Sequence, residues 1–287
     1  MPELPEVETV VRDLRPLLAE RVITGVRQSK LKLRRPWKPA WNADVTHARF
    51  DGIRRRGKWI LLDLDRERLL RVHLGMTGQF TVVPASELEP DHLHVVFSLD
   101  NAHELRLRDP RRFGSAEYFA DRSALETEMN EELGPEPFGL DPEYFRDAVR
   151  STTRNLKALL LDQKVVAGVG NIYADEACFR AKLHPGRTGK SLTPDECERL
   201  REAIEAVLTK AIDSRGSTIR DYVGGSGLRG GFQNEFAVYG RTDEPCPVCE
   251  TAIRVDRHSG RSSHYCPQCQ KGSPQRARRA RRKQKAE

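Results

Sequence analysis

The stretch CPVCETAIRVDRHSGRSSHYCPQC, residues 246–269, decides more about the fold than any other part of the chain. Cys246 and Cys249 form one C-x-x-C pair, Cys266 and Cys269 a second, with sixteen residues between them. Two such pairs, each offered from a tight turn, supply four thiolates to a tetrahedral Zn²⁺ shell. The competing reading, two disulfides, suits a secreted chain, and no signal-peptide pattern opens this one. Four protein ligands leave no open position, so the expected cofactor is one structural Zn²⁺ per chain. Between the pairs, residues 253–265 read as a β-hairpin displaying Arg254, Arg257 and Arg261, a common device for contacting nucleic acid. The two remaining cysteines, Cys178 and Cys197, fall on helical patterns and read as buried thiols.

Upstream of the cysteines the pattern is helical. NLKALLLDQKVVAGVGNIYADEACFRAKL (155–183) reads as helix, glycine turn, helix, broken at Gly168–Gly170, with Asn171 suited to cap the second helix. The backbone N–H groups of that turn and of the helix that follows can cradle a phosphate, although a glycine turn between helices is more often only a turn. TPDECERLREAIEAVLTKAIDSRG (193–216) carries a capping box at Thr193 and Glu196 with Pro194 at the first helical position. Its buried face is expected at Cys197, Leu200, Ile204, Val207, Leu208, Ala211 and Ile212, and Gly216 stops it. YVGGSGLRGGF (222–232) is a glycine-rich loop.

From about Arg49 to Phe119 the periodicity changes to the alternation of strands, in WILLDLD, LRVHLGMTGQFTVV, HLHVVFSL and HELRLRD. Residues 1–130 therefore read as a helix followed by a mainly antiparallel β domain, and NEELGPEPFGLDPEYF (130–145) as the core of a linker.

At 287 residues the chain is long enough for two domains with cores of their own. It contains no apolar run near 18 residues, which excludes a helical membrane span and points to the cytoplasm. The net charge of +7 comes from one place. Residues 271–287 hold eight Lys/Arg against one acid, a surplus of seven, so residues 1–270 balance at 41 of each. The folded body is neutral, and a specific nucleic-acid site must come from positioned residues rather than from overall basicity.

The amino terminus, MPELPEVETV, poses a question of its own. Leu4, Val7, Val10, Val11 and Leu14 mark a helix that begins almost at once, yet two prolines and three glutamates crowd its first turns. Capping and the helix dipole explain much of this. A proline directly after the initiator Met has a second use. Once Met1 is removed it bears a free secondary amine, which can attack an electrophilic carbon and form a Schiff base.

PELPEVETV, RGKW, HLGMTG, DPRRFG, AGVGNIYADE, VYGR and GRSSHYCPQCQ resemble, in order and approximate spacing, the motifs of the formamidopyrimidine-DNA glycosylase family, across residues 2 to about 270. The resemblance implies an α+β multidomain fold. An N-terminal helix with an antiparallel β-sandwich fills 1–130 as the catalytic domain, a linker 131–150, and a helix–two-turn–helix DNA-binding domain 151–235. A zinc β-hairpin fills 236–271 and a basic disordered tail 272–287. It implies a monomer that acts at the nucleoid on double-stranded DNA carrying an oxidised base.

The implied catalytic set is Pro2, Glu3, Lys58 and Arg261. Pro2 attacks C1′ of the damaged nucleotide, Glu3 moves protons, and β- and δ-elimination cut the strand on both sides of the sugar. The permanently cationic iminium of a secondary amine acidifies the neighbouring sugar proton, and an adjacent carboxylate can shuttle protons. The amine must be unprotonated to attack, which nearby positive charge at Lys58 favours, and Glu6 is placed to support the same site. Lys58, His73, Asn171 and Arg261 resemble the groups that hold phosphates flanking the lesion. Met76, Arg111 and Phe113 resemble the trio that fills the gap left by a flipped nucleotide, with Arg111 facing the orphaned cytosine. By pattern alone Met76 and Phe113 would be core residues.

The stretch 217–232 matches the loop that closes over the extruded base. Gly231 stands where the family commonly has an aromatic residue and Arg229 is an addition, which tilts the expected preference toward ring-opened formamidopyrimidines. Two other functions compete: the same chemistry on oxidised pyrimidines, and a non-catalytic damage-binding protein. Intact Pro2 and Glu3 argue against the binder, and Met76, Arg111 and Phe113 argue for purine lesions.

Overall fold

Helix α1 (Leu4–Leu18) buries Leu4, Val7, Val10, Val11, Leu14 and Leu18, the single apolar face that the spacing demands. The structure, a computed structural model, describes residues 1–217, 230–258 and 260–272. Arg229 and residues 273–287, and with them most of the expectations for the glycine-rich loop and the basic tail, lie outside the described residues.

By its contacts the chain divides into two compact units. One comprises residues 1–132 and 211–233, the other 133–210 and the residues from 234 onward.

In the first unit, α1 is followed by β1 (Ile23–Gln28), the short α2 (Trp41–Val45), β2 (Phe50–Arg56), β3 (Trp59–Leu64) and β4 (Leu69–His73). Then come β5 (Gln79–Pro84), β6 (Leu93–Leu99), β7 (His103–Arg108), β8 (Ser115–Phe119) and α3 (Arg122–Glu132). The strands form two antiparallel four-stranded sheets, ordered β1-β6-β7-β5 and β2-β3-β4-β8. Residues from α1 and from both sheets meet in one core, which includes Val7, Leu14, Phe50, Ile60, Val72, Phe80, Phe97 and Leu107. β1 escapes the alternation rule because Thr24, Gly25, Arg27 and Gln28 dilute its pattern, as an edge strand permits. Arg56 of β2 pairs with Trp59 of β3, leaving Gly57 and Lys58 as a two-residue turn in which Gly57 takes the positive φ (56°) that a tight connection needs.

The second unit contains α4 (Pro142–Arg150), α5 (Leu156–Leu161), α6 (Asn171–Arg180), most of α7 (Pro194–Asp213) and the hairpin β9 (Arg254–His258) and β10 (Arg261–Tyr265). The capping box of α7 is present in both directions, Glu196 N–H donating to Thr193 Oγ1 at 3.2 Å and Thr193 N–H to Glu196 Oε2 at 2.9 Å. The stretch 131–150, read as a linker, holds the whole of α4, capped by Asp141, whose Oδ1 accepts the Tyr144 N–H at 2.7 Å. With only Phe145 and Val149 buried on nine residues, its apolar signal is too sparse to stand out beside the prolines and glycines before it. Among the described residues no helix is long and apolar enough to cross a membrane.

Candidate active site and metal centre

The amino-terminal site is built on α1. Glu3 is the N-cap residue, and its N–H donates to Glu6 Oε2 at 2.8 Å, which is the return arm of a capping box. Glu6 Oε1 accepts the backbone N–H of Ser217 at 2.7 Å and its hydroxyl at 3.0 Å. Pro2, Glu3 and Glu6 are buried, while Met1 is half exposed (52%). Glu3 and Glu6 are thus capping groups, and the same geometry fixes Pro2 and Glu3 side by side at the start of the helix.

Arg55 brings the Gly57–Lys58 turn to this helix. Its Nε pairs with Glu8 Oε2 on α1 at 3.0 Å and its Nη1 donates to Gly57 O at 3.1 Å. Lys58 is buried, and the next residue, Trp59, pairs in register with His73 at the end of β4. The rings of Trp59 and His73 stack edge-on with centroids 4.7 Å apart.

His73 is a neutral donor rather than a cation. Burial first, and then the positive charges of Lys58, Arg34, Arg35 and Arg71, push its pKa down to about 4. Its Nδ1 accepts the Gly75 N–H at 2.9 Å, so the proton sits on Nε2. Because the folded state disfavours the imidazolium, the contribution to stability is complete above the ordinary value of 6.5 and is lost as pH falls toward 4. Wild-type protein is therefore expected to lose a few kcal/mol of stability across that window, since each tenfold change in proton affinity is worth about 1.4 kcal/mol. His73→Asn removes this part of the loss. Urea midpoints measured against pH test it, and parallel curves for the two proteins would refute the assignment.

His73, Met76, Arg111 and Phe113 line one cavity of about 730 Å³ together with Met1. Phe113, core by pattern, is in fact exposed (46%), and the guanidinium carbon of Arg111 lies 5.0 Å from its ring centroid. Lys32 and Arg34 line the same cavity and do not stand out in the sequence, although KLKLRRP (30–36) carries the signal as a basic run.

In the second unit the glycine turn is shaped by Gln163, whose Oε1 accepts the Gly168 N–H at 2.9 Å while its Nε2 donates to Val169 O at 2.9 Å. Asn171 does not cap α6. Gly170, in extended backbone, is the N-cap, and its carbonyl already accepts the Ala174 N–H at 3.0 Å. One residue inside the helix, the Asn171 amide turns instead to the Tyr239 hydroxyl (3.3 Å) and the Ser262 hydroxyl on β10 (3.4 Å).

Two buried residues that sequence patterns do not single out hold this arrangement. Lys157 Nζ donates to Asp175 Oδ1 and to Asn171 O, both at 2.6 Å, and Asp175 Oδ2 accepts the backbone N–H of His264 on β10 at 2.8 Å. Both are fully buried, so each charge depends on the other. The signal available was a lysine inside the apolar run LKALLL with an acid on the helix beyond the turn. Glu176 accepts three backbone N–H groups from Ala237, Val238 and Tyr239 and so anchors VYGR. Arg254, Arg257 and Arg261 are all exposed on the hairpin, as expected.

The four cysteine sulfurs lie within 4.8 Å of one another. Cys246–Cys269, Cys249–Cys266 and Cys249–Cys269 are separated by 3.9, 3.5 and 3.4 Å. A tetrahedron of Zn–S bonds has edges of about 3.8 Å, so the donor set fits that ion. Backbone N–H groups of Val248 and Cys269 point at the Cys246 and Cys266 sulfurs at 3.4 Å, the contacts that orient such sulfurs toward a shared ion.

Residues 1–116 match the formamidopyrimidine-DNA glycosylase N-terminal domain, 133–223 the H2TH domain of the same enzymes, and 243–272 the zinc finger found in FPG and IleRS. The chain belongs to the formamidopyrimidine-DNA glycosylase family. The formamidopyrimidine-DNA glycosylases of Heliobacterium modesticaldum and Geobacillus kaustophilus are each 45% identical to it, with 94% of this chain and 100% of the relative covered. The structure of Lactococcus lactis Fpg with DNA containing an abasic site superposes with a TM-score of 0.88 at 33% identity, covering 94% of this chain and 100% of that one. The MutM (Fpg) protein of Thermus thermophilus gives 0.83 at 41% identity, covering 94% and 98%. The family's zinc finger coincides with the four-cysteine cluster, which agrees with one structural Zn²⁺.

Proposed function

We propose that this chain excises oxidised purines, 8-oxoguanine and formamidopyrimidines, from double-stranded DNA and then cuts the abasic product, acting as a monomer at the chromosome. The observation that carries the reading is the placement of Pro2 and Glu3 as buried neighbours at the first turn of α1, behind a single half-exposed residue. With Met1 removed, the secondary amine of Pro2 attacks C1′ and gives up its proton as the C1′–N bond to the base breaks, and the C1′–O4′ bond then opens to leave C1′ doubly bonded to the Pro2 nitrogen. The resulting iminium draws electrons from C2′–H, the proton departs, and the 3′ phosphate is expelled; a second elimination releases the 5′ phosphate. Glu3 protonates the opening sugar ring and takes protons back.

Lys58 and Arg261 offer cations to the flanking phosphates, and His73 offers its Nε2–H. Asn171 contributes its amide, one residue into α6 and beside Ser262. Met76, Arg111 and Phe113 fill the space vacated by the flipped nucleotide; an exposed phenylalanine carrying a guanidinium suits that task better than a place in the core.

Borohydride trapping tests the reading, on duplexes carrying 8-oxoguanine opposite C, a formamidopyrimidine or an oxidised thymine, with mass spectrometry of the adduct. A covalent adduct on Pro2 with the purine lesions is expected. Trapping with the oxidised pyrimidine alone would overturn the substrate, and no adduct on any duplex from protein lacking Met1 would overturn the chemistry.

A further inference from the structure

The loop that carries Met76 joins β4 to β5 and the loop that carries Arg111 and Phe113 joins β7 to β8, strands that are neighbours in their sheets (β4 with β8, β5 with β7), and one carboxylate holds both loops. Asp109 is completely buried. Its Oδ1 accepts the Thr77 hydroxyl at 2.6 Å and the Arg111 backbone N–H at 3.2 Å, and its Oδ2 accepts the Gly114 backbone N–H at 2.7 Å. Two of the three donors close the turn from which Arg111 and Phe113 project. The third belongs to the residue after Met76. The Asp109 carbonyl is held as well, by His94 Nε2 at 2.9 Å, which must be the donor since a carbonyl only accepts.

The two loops also meet backbone to backbone. A Cβ on Gly75, which has a φ of +61°, would stand 2.5 Å from the Gly114 nitrogen and the Phe113 carbonyl carbon, and one on Gly114 would stand 2.8 Å from His73 O. The loops are thus in direct main-chain contact, and Asp109 ties them across that contact as well as shaping its own turn.

We propose that Asp109 is the positioning residue that locks Met76, Arg111 and Phe113 into one gap-filling unit, so that excision of a stacked base depends on it while cleavage of a site that has no base does not. The proposal rests on the gap-filling reading of the trio given above. A base that must be kept out of the stack needs all three side chains in place together, whereas an abasic sugar has no base to return. A misplacement of about 1 Å at such a site can cost about 100-fold in rate.

Asp109→Asn is the direct test. The amide can still accept from Thr77 and Arg111, but it turns an NH₂ toward the Gly114 N–H, donor against donor. The expected result is an excision rate for 8-oxoguanine opposite C lowered by about 10- to 100-fold, with β-elimination at a pre-formed abasic site lowered less than about threefold. Thr77→Val removes only the link between the loops and should show a smaller loss with the same selectivity; it carries the test if Asp109→Asn does not fold. Equal losses on the two substrates, or no loss, would overturn the proposal, the former because it marks a merely structural role. Arg111→Ala separates the two layers of argument. If it lacks the selectivity, the gap-filling reading fails and the proposal with it; if it shows the selectivity and the Asp109 and Thr77 variants do not, the proposal alone fails.

Discussion

Replacing Pro2 with glycine should lower base excision by about 10³-fold, equivalent to about 4 kcal/mol of transition-state stabilisation, while affinity for lesion DNA is nearly unchanged. Glycine keeps an amine at the terminus but not a secondary one. Its imine can shed a proton and become neutral, which forfeits the permanent positive charge that drives loss of the C2′ proton. Glycine also lacks the ring that packs Pro2 into its buried place. A protein that retains Met1 should be more severely affected, because the Pro2 nitrogen is then an amide whose lone pair is delocalised into the carbonyl. Single-turnover excision assays and band-shift titrations on the same preparations check both statements. Unchanged base release by Pro2→Gly would sink the nucleophile assignment.

Zinc removal should have the second largest effect. Chelation is expected to weaken binding to lesion DNA by about 100-fold or more and to leave the first unit folded, since structural Zn²⁺ contributes folding free energy of order 10 kcal/mol to the segment that holds it. The local core here is small: Val238, Cys246, Ile253 and Cys266, two of them ligands. Without the ion the hairpin keeps only its own ladder and a few polar ties such as His264 N–H to Asp175 around a core this small, and both Arg261 and the Ser262 hydroxyl that meets Asn171 are expected to lose their places. Circular dichroism melts followed alongside DNA affinity during chelation test this. Full affinity in the zinc-free protein would refute the hairpin's role, and a melt of the β sheets at the same chelator concentration would refute its independence.

The sequence carried the elements whose signal is local. The apolar stripe of α1, the capping box of α7 and the two C-x-x-C pairs are each complete within a few residues, and each is found where its spacing put it. The features that were not legible depend on partners far along the chain. No pattern near His73 announces a neutral imidazole, because its burial is made by the fold and three of the four charges that add to the effect sit at residues 34, 35 and 58. The cap of α6 was misplaced by one residue because glycine and asparagine both suit that position, and the partners that draw the Asn171 amide elsewhere, the Tyr239 and Ser262 hydroxyls, lie 68 and 91 residues away. Nothing in the sequence singles out Lys157 or Asp175, and the two become intelligible only as a buried pair. Phe113 misled in the opposite direction, an aromatic in a strand-rich region that the fold leaves in the open.

Chain ends ordinarily fray, and a reactive group at the end of a polypeptide would have to be immobilised on every turnover before it could reach its target. Here the residues just after Met1 are held: Pro2 and Glu3 are buried, and Glu6 ties Glu3 N–H on one side and Ser217 on the other. On the mechanism proposed for Pro2, the entropy of ordering the nucleophile is lost once, during folding, and not again at the lesion. The amine would then meet C1′ at a high effective molarity, the circumstance in which intramolecular reactions gain several kcal/mol over their bimolecular counterparts.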